Sequence, residues 1–214
     1  MQSVALIDYG SGNLRSAEKA LQKAARGLAR ETRVLTTDDP GLIAAADRIV
    51  LPGVGAFAAC MHALAARDGV IEAMNERVRR GGAPFFGICV GMQLMATRGL
   101  EFGEMTGLGW IAGDVKLIEP ADPACKVPHM GWNALELRRG AGVFAGLAQG
   151  AHMYFTHSFA FFPTEEADVA AWTDHGGRFP VAVARANLAG VQFHPEKSQA
   201  QGLKLLGDFL EWRP

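Results

Sequence analysis

Three cysteines in 214 residues, Cys60, Cys89 and Cys125, are odd in number and too scattered for a disulfide framework. They fit a reducing compartment, so the chain is expected in the cytoplasm. A surplus of charge is also missing. Lys and Arg total 21 against 22 Asp and Glu, a formal net charge of −1. The basic residues are scattered apart from the short pairs Arg79–Arg80 and Arg138–Arg139, which argues against nucleic acid or an anionic membrane as partner. No run approaches the roughly 18 apolar residues of a membrane span. The opening MQSVALIDYG carries an acid at Asp8 and no cleavable apolar core. No repeat, low-complexity tract or linker divides the chain, so one domain over residues 1–214 is expected. Cys125 and His129 stand four apart, but Pro128 breaks any helix between them and no second ligand pair is near. Neither a metal nor another cofactor is expected.

With 49% hydrophobic and 20% charged residues, the chain has the balance of a folded globular core. SVALID (3–8) reads as a short strand ended by YGSGN, after which Leu14, Ala17, Leu21, Ala24 and Leu28 recur at helical spacing. TRVLTT (32–37), DRIVLPG (47–53) and APFFGI (83–88) read as further strands, the last two continuously apolar and so buried on both faces. Between them Phe57, Cys60, Met61 and Leu64, then Val70, Ile71, Met74 and Val78, mark helical stripes. Beyond about Gly99, strand-like runs with many turn residues suggest an extension of the same sheet, and Ser198 is placed to cap a last helix with Leu203, Leu206, Phe209 and Leu210 inside. The fold class expected is α/β: an open, mostly parallel or mixed twisted sheet with helices on both faces.

FFGICVGMQLM (85–95) then sets one cysteine between two glycines where a strand gives way to a helix. Cys89 is either a buried space-filler, since free cysteine packs readily in cores, or a nucleophile lifted by a strand-to-helix elbow. In the second reading Gly87 and Gly91 keep side chains out of a crowded turn, and the thiol sits at the carboxyl end of a strand, where open parallel sheets form sites. The dipole of the following helix would favour its thiolate.

A thiol doing acyl transfer needs a proton carrier. His194 in GVQFHPEKS (190–198) ends an apolar strand, and Pro195 biases it toward extended backbone. Glu196, two residues on, can then reach the ring and fix its tautomer, so that Cys89, His194 and Glu196 form nucleophile, base and orienting carboxylate. A simple turn after a strand is the alternative for His-Pro-Glu. An oxyanion hole would draw on the amide of Val90, and on Gly53 and Val54 in LPGVGAF (51–57), which lacks the spacing and lysine of a P-loop. His62, His152 and His175 are expected at the surface, and Cys60 in the core.

On IDYGSGNLRS (7–16), LPGVGAF (51–57), GICVGMQLM (87–95), KVPHMGWN (126–133), YFTHSF (154–159) and GVQFHPEKS (190–198), nearly the whole chain resembles the class I, triad-type glutamine amidotransferases, of flavodoxin-like fold. PHMGWN, YFTHSF and the first motif are similar to the glutaminase subunits that serve histidine biosynthesis. The resemblance implies that Cys89 attacks the side-chain amide of glutamine, that His194 protonates the departing ammonia and that water hydrolyses the glutamyl thioester. It implies that Gln93 helps bind the substrate, where residues alone would allow an ordinary helix-surface side chain. It further implies a heterodimer, in which ammonia passes to a (β/α)8-barrel cyclase and activity stays weak until that partner is loaded. Asn13, Tyr154, His157 and Lys197 map to the expected interface, although Asn13 alone reads as a helix cap, Tyr154 as core and Lys197 as solvated. Val90 stands where the family usually has leucine and Phe159 where tyrosine is common. Amidotransferase glutaminases serving pyridoxal phosphate or anthranilate synthesis share the triad and are the nearest rivals. A cysteine peptidase, or a binding module with a merely packed thiol, are the rivals from other classes.

Overall fold

In order, the chain forms β1 (Gln2–Ile7), α1 (Leu14–Ala25), β2 (Thr32–Thr37), α2 (Pro40–Ala45), β3 (Arg48–Gly53), α3 (Phe57–Ala65), α4 (Val70–Met74), β4 (Phe85–Cys89) and α5 (Val90–Gln93). Next come β5 (Arg98–Gly99), β6 (Met105–Thr106), β7 (Gly113–Leu117), β8 (His129–Ala134), β9 (Glu136–Leu137), β10 (His152–His157), β11 (Phe159–Pro163), β12 (Val169–Asp174), β13 (Arg178–Arg185), β14 (Leu188–Val191) and α6 (Gln199–Glu211). The computed structural model describes residues 1–138, 140 and 142–214; Arg139, from the second basic pair, and Ala141 lie outside the described residues.

The continuous apolar runs behave as their composition requires. Every residue of β3 and β4 is buried, as are Val4–Ile7 of β1. They lie in an eight-stranded sheet of order β2-β1-β3-β4-β14-β13-β12-β9, parallel from β2 through β14 and antiparallel beyond. Right-handed crossovers put α1 on one face and the helices between β2 and β4 on the other. Consecutive side chains of β4 show both faces covered: Phe86 packs on Phe209 of α6 at 5.1 Å, and Phe85 meets Trp110 edge-on at 4.8 Å. α6 also packs against α1.

Two expectations shift in detail. The first helix stops at Ala25, so Leu28 lies past its end, although it still packs on the core. The stripe from Val70 to Val78 is one helix in register only as far as Met74, and residues Asn75–Arg80 are π-wound. In the second half, β13, β12 and β9 extend the main sheet, but the other runs leave it. β8 and β10 form a separate antiparallel pair, and β11-β7-β5-β6 a four-stranded sheet. β8 shows why: Met130 and Trp132 are both exposed, so the strand suits a sheet covered on one face only.

The start of α6 lies hard against the turn before it. A Cβ at Gly202 would collide with the carbonyl of Pro195, whereas one at Gly207 would meet nothing within 4 Å. Gly207→Ala should therefore stabilise the fold by about 0.5–1 kcal/mol, by removing backbone freedom from the unfolded chain. Gly202→Ala should destabilise it by about 1–3 kcal/mol through overpacking. Denaturant unfolding at unchanged m-value checks both; a stabilising Gly202→Ala would contradict the close seat of α6.

Candidate active site

Cys89 ends β4 in a backbone conformation that L-residues rarely adopt, with φ +53° and ψ −114°. The two glycines explain how the chain tolerates it. A Cβ at Gly87 would come within 2.7 Å of the Met92 backbone, and one at Gly91 would collide with the Leu51 carbonyl of the neighbouring strand. The turn is thus wedged between β3 and its own helix. That helix, Val90–Gln93, has only four residues, so the dipole expected to act on the thiol shrinks to a few local N–H groups. Cys89 is 5% exposed and lines a cavity of about 440 Å³, within the usual range for small-ligand sites.

His194 lies beyond β14 in extended backbone, with φ −102° and ψ 96°, and a 3-10 turn over Pro195–Lys197 swings Glu196 back to the ring. Glu196 Oε1 and His194 Nδ1 are 2.8 Å apart, and both side chains are buried. With Nδ1 so engaged, Nε2 is the nitrogen left for the thiol. Burial presses the His194 pKa down, but the interactions with the Cys89 thiol and then with Glu196 outweigh it and raise the value to about 9. An imidazolium facing sulfur is the arrangement that favours thiolate attack.

Ser198 has a different task from the one its position suggested. Its hydroxyl makes no cap bond to α6. It donates to the His194 carbonyl at 2.6 Å and accepts from the Tyr154 amide at 3.0 Å, tying the His-Pro-Glu turn to β10. The His194 amide donates to the Tyr154 carbonyl at 3.0 Å, closing the same brace.

Of the expected oxyanion donors, Val90 opens α5, where an N–H has no acceptor within the helix. Gly53 stands directly opposite Cys89 in the β3–β4 ladder. Val54 does not fit in this conformation, because its N–H donates to Ser11 Oγ at 3.3 Å instead of facing the thiol. The same hydroxyl donates to the Val54 carbonyl at 2.8 Å, and the Cys60 thiol also reaches that carbonyl, at 3.3 Å. Cys60 is thus in the core as expected, its thiol pKa raised by burial, yet it helps hold the loop.

Gln93 is buried in the cavity wall and not on a helix surface. Its Nε2 donates to the Phe159 carbonyl and to Gln192 Oε1, each at 3.0 Å. The four expected interface residues divide. Asn13 is exposed and accepts from Ser16 N at 3.4 Å, so it is a helix cap with an open side. Lys197 is exposed on the cavity rim, with Nζ 5.7 Å from the ring of half-buried Tyr154, and Trp132 meets that ring edge-on at 6.0 Å. His157 does not face outward: its Nδ1–H donates to the Phe159 carbonyl at 2.9 Å, and its Nε2 accepts from His129 Nδ1 at 3.1 Å. Trp132 and Met130, 48% and 64% exposed, pair with Tyr154 and Thr156 across β8 and β10, and were not singled out from the sequence. Two large apolar side chains at i and i+2 in PHMGWN were the available signal.

His62 and His152 are exposed as expected, but His175 is half-buried and stacks on His129 at 4.3 Å. Burial first, then repulsion from His157 and His175, pushes the His129 pKa down to about 3. Burial likewise pushes His157 down to about 4, against the opposing bond to the Phe159 carbonyl. Both rings are neutral near pH 7, while His194 carries a proton. Among the described residues, no group of three or more His, Cys, Asp or Glu is placed to hold a metal ion.

Residues 5–212 match the family described as glutamine amidotransferase class-I. The chain is 63% identical to the imidazole glycerol phosphate synthase subunit HisH of Caulobacter vibrioides over 214 residues, 100% of each chain. It is 54% identical to the protein of the same name from Rhodospirillum rubrum over 99% of each. Among solved structures it superposes on PurLQS from Thermotoga maritima with a TM-score of 0.72 at 20% identity, covering 98% of each chain. It also superposes on a glutamine amidotransferase crystal structure with a TM-score of 0.70 at 20% identity, covering 97% of each. At such identity these structures bear on the fold alone.

The charge pattern sets a stability optimum. Below pH 6.5 the unfolded chain takes up protons that folded His129 and His157 refuse, so stability falls as pH drops toward their folded values of about 3 and 4. His194 contributes in full below 6.5 and loses its contribution as pH rises through about 9. Melting temperature followed from about pH 4 to about pH 10 should peak near neutrality, and Glu196→Gln should make the alkaline limb shallower while the Cys89 interaction keeps part of it. An alkaline limb unchanged by Glu196→Gln would contradict the His194 assignment.

Proposed function

We infer that this chain, which belongs to the class-I glutamine amidotransferase family, is the glutaminase subunit of imidazole glycerol phosphate synthase in histidine biosynthesis. The chemistry rests on one observation: a buried His194–Glu196 pair facing a cysteine held in a strained elbow at a cavity wall. The pathway rests on identity of 52–63% over the length of relatives that bear that subunit's name, which favours histidine over pyridoxal phosphate or anthranilate synthesis.

In this reading Cys89 Sγ attacks the side-chain carbonyl carbon of glutamine. The amide of Val90 and the backbone at Gly53 receive the oxyanion. His194 gives the Nε2 proton to the leaving nitrogen, so that ammonia departs and a glutamyl thioester remains. A water molecule then attacks the thioester, with His194 as base, and glutamate and free thiol are regenerated. Glu196 holds the ring in the required tautomer throughout. The Oε1 of Gln93 is the polar atom of that amide left for the substrate. The Ser11 clasp on Val54 fits an enzyme of low activity until its loop is released.

Ammonia passes to a (β/α)8-barrel cyclase, which converts the phosphoribulosyl formimino intermediate into imidazole glycerol phosphate and AICAR. Lys197, Tyr154, Trp132 and Met130, with Asn13, are the surface offered to that partner; exposed Trp132 is of a residue type enriched among interface anchors. A single amidotransferase domain over residues 1–214 suffices for this role. The three free cysteines accord with the cytoplasm, and no helix among the described residues is long and apolar enough to cross a membrane.

Cys89→Ala should abolish glutamine-dependent synthesis by the assembled pair while ammonia-dependent synthesis by the cyclase persists, measured as imidazole glycerol phosphate formed from either nitrogen source. Retained turnover of glutamine would sink the assignment. His194→Ala should lower glutaminase kcat by about 10²- to 10⁴-fold and Glu196→Gln by less; equal, negligible losses would count against the triad. Trp132→Ala should weaken cyclase binding by about tenfold or more, read by titration calorimetry, and unchanged affinity would remove β8 from the interface.

A further inference from the structure

Gln192 is a wholly buried amide between β14 and His194 that the glutaminase mechanism does not use. Its neighbours fix which way it points. The carbonyl of Phe159 can only accept, and it faces the side-chain amide of Gln93 at 3.0 Å, so the atom there must be the Gln93 nitrogen. That nitrogen also faces Gln192 at 3.0 Å, which obliges Gln192 to present its oxygen to Gln93. The Gln192 nitrogen is then left for the other side, where Cys89 Sγ lies 3.6 Å away, within reach for a bond to sulfur. The sheet sets this placement, because Val191 pairs with Ile88 and the next residue along each strand brings Gln192 beside Cys89.

We propose that Gln192 is a positioning residue whose side-chain N–H, aimed by the Phe159–Gln93 relay, holds the sulfur of Cys89 in its attacking orientation and stabilises its thiolate. An N–H directed at sulfur favours the anion, whereas the amide oxygen in that place would repel it. The relay also ties the nucleophile to the cavity wall that holds Gln93. This role rests on the reading of Cys89 as the nucleophile, and the test separates the two.

Purified wild type, Gln192→Met and Gln192→Asn are alkylated with iodoacetamide across a pH series, with mass spectrometry reading the Cys89 peptide and far-UV circular dichroism checking the fold. Met has similar length and no donor; Asn keeps an amide but is one methylene too short to reach the sulfur. In both, the pH midpoint of Cys89 alkylation should rise by about one unit, as loss of a hydrogen bond to a charged acceptor requires. A midpoint unchanged in a folded variant overturns the inference, and if Met fails to fold the Asn variant decides alone. If wild-type Cys89 is not labelled ahead of Cys60 and Cys125, the nucleophile reading falls, and this inference with it.

Discussion

The backbone of Cys89 sits at φ +53°, a conformation that costs an L-residue on the order of 1–3 kcal/mol and persists only where its surroundings over-determine it. Here they do. Strands β3 and β14 flank β4 on either side, Leu51 and Met92 close on the two glycines, and Phe85 and Phe86 anchor the strand into both layers of the core. The stability of the parallel sheet is what holds the buried thiol in the cavity wall, with Val90, the expected backbone donor, lining the same cavity beside it.

The same sheet delivers the partners. Gly53 and Gln192 reach Cys89 because they continue the strands on either side of it, and His194 arrives a few residues beyond the end of β14. The chain past His194 is less regular and needs its own restraint. Ser198 bonds both the His194 carbonyl and the Tyr154 amide, and Gly202 lets α6 close over Pro195. The serine at the start of α6 makes these two bonds in place of a side-chain cap.

Charge within the site is divided by burial and pairing. Burial without a carboxylate leaves His129 and His157 neutral, while comparable burial with Glu196 and the thiol leaves His194 protonated. Neutral rings are what the Asn133–His129–His157 chain needs, since each must both donate and accept. That chain ends on the Phe159 carbonyl, which also receives Gln93. One backbone oxygen therefore joins the β8–β10 pair, which bears the exposed Met130 and Trp132, to the amides beside the nucleophile.

Local pattern was enough for the α/β class, the buried central strands, the glycine-flanked cysteine and the histidine with its carboxylate two residues on. Each of these is written in periodicity, steric demand or short spacing. Gly87-Ile88-Cys89-Val90-Gly91 announces close packing, and His194-Pro195-Glu196 announces an extended residue and then a return. Contacts between distant segments were not legible in this way. That Val54 turns to Ser11, that Ser198 braces a turn instead of a helix, that His157 points inward, and that Gln192 faces sulfur all depend on which strands the sheet sets side by side. Residue type alone does not decide which polar neighbour a buried hydrogen-bonding group will find; the folded neighbourhood does, because only there is water gone and each donor obliged to take what is within reach.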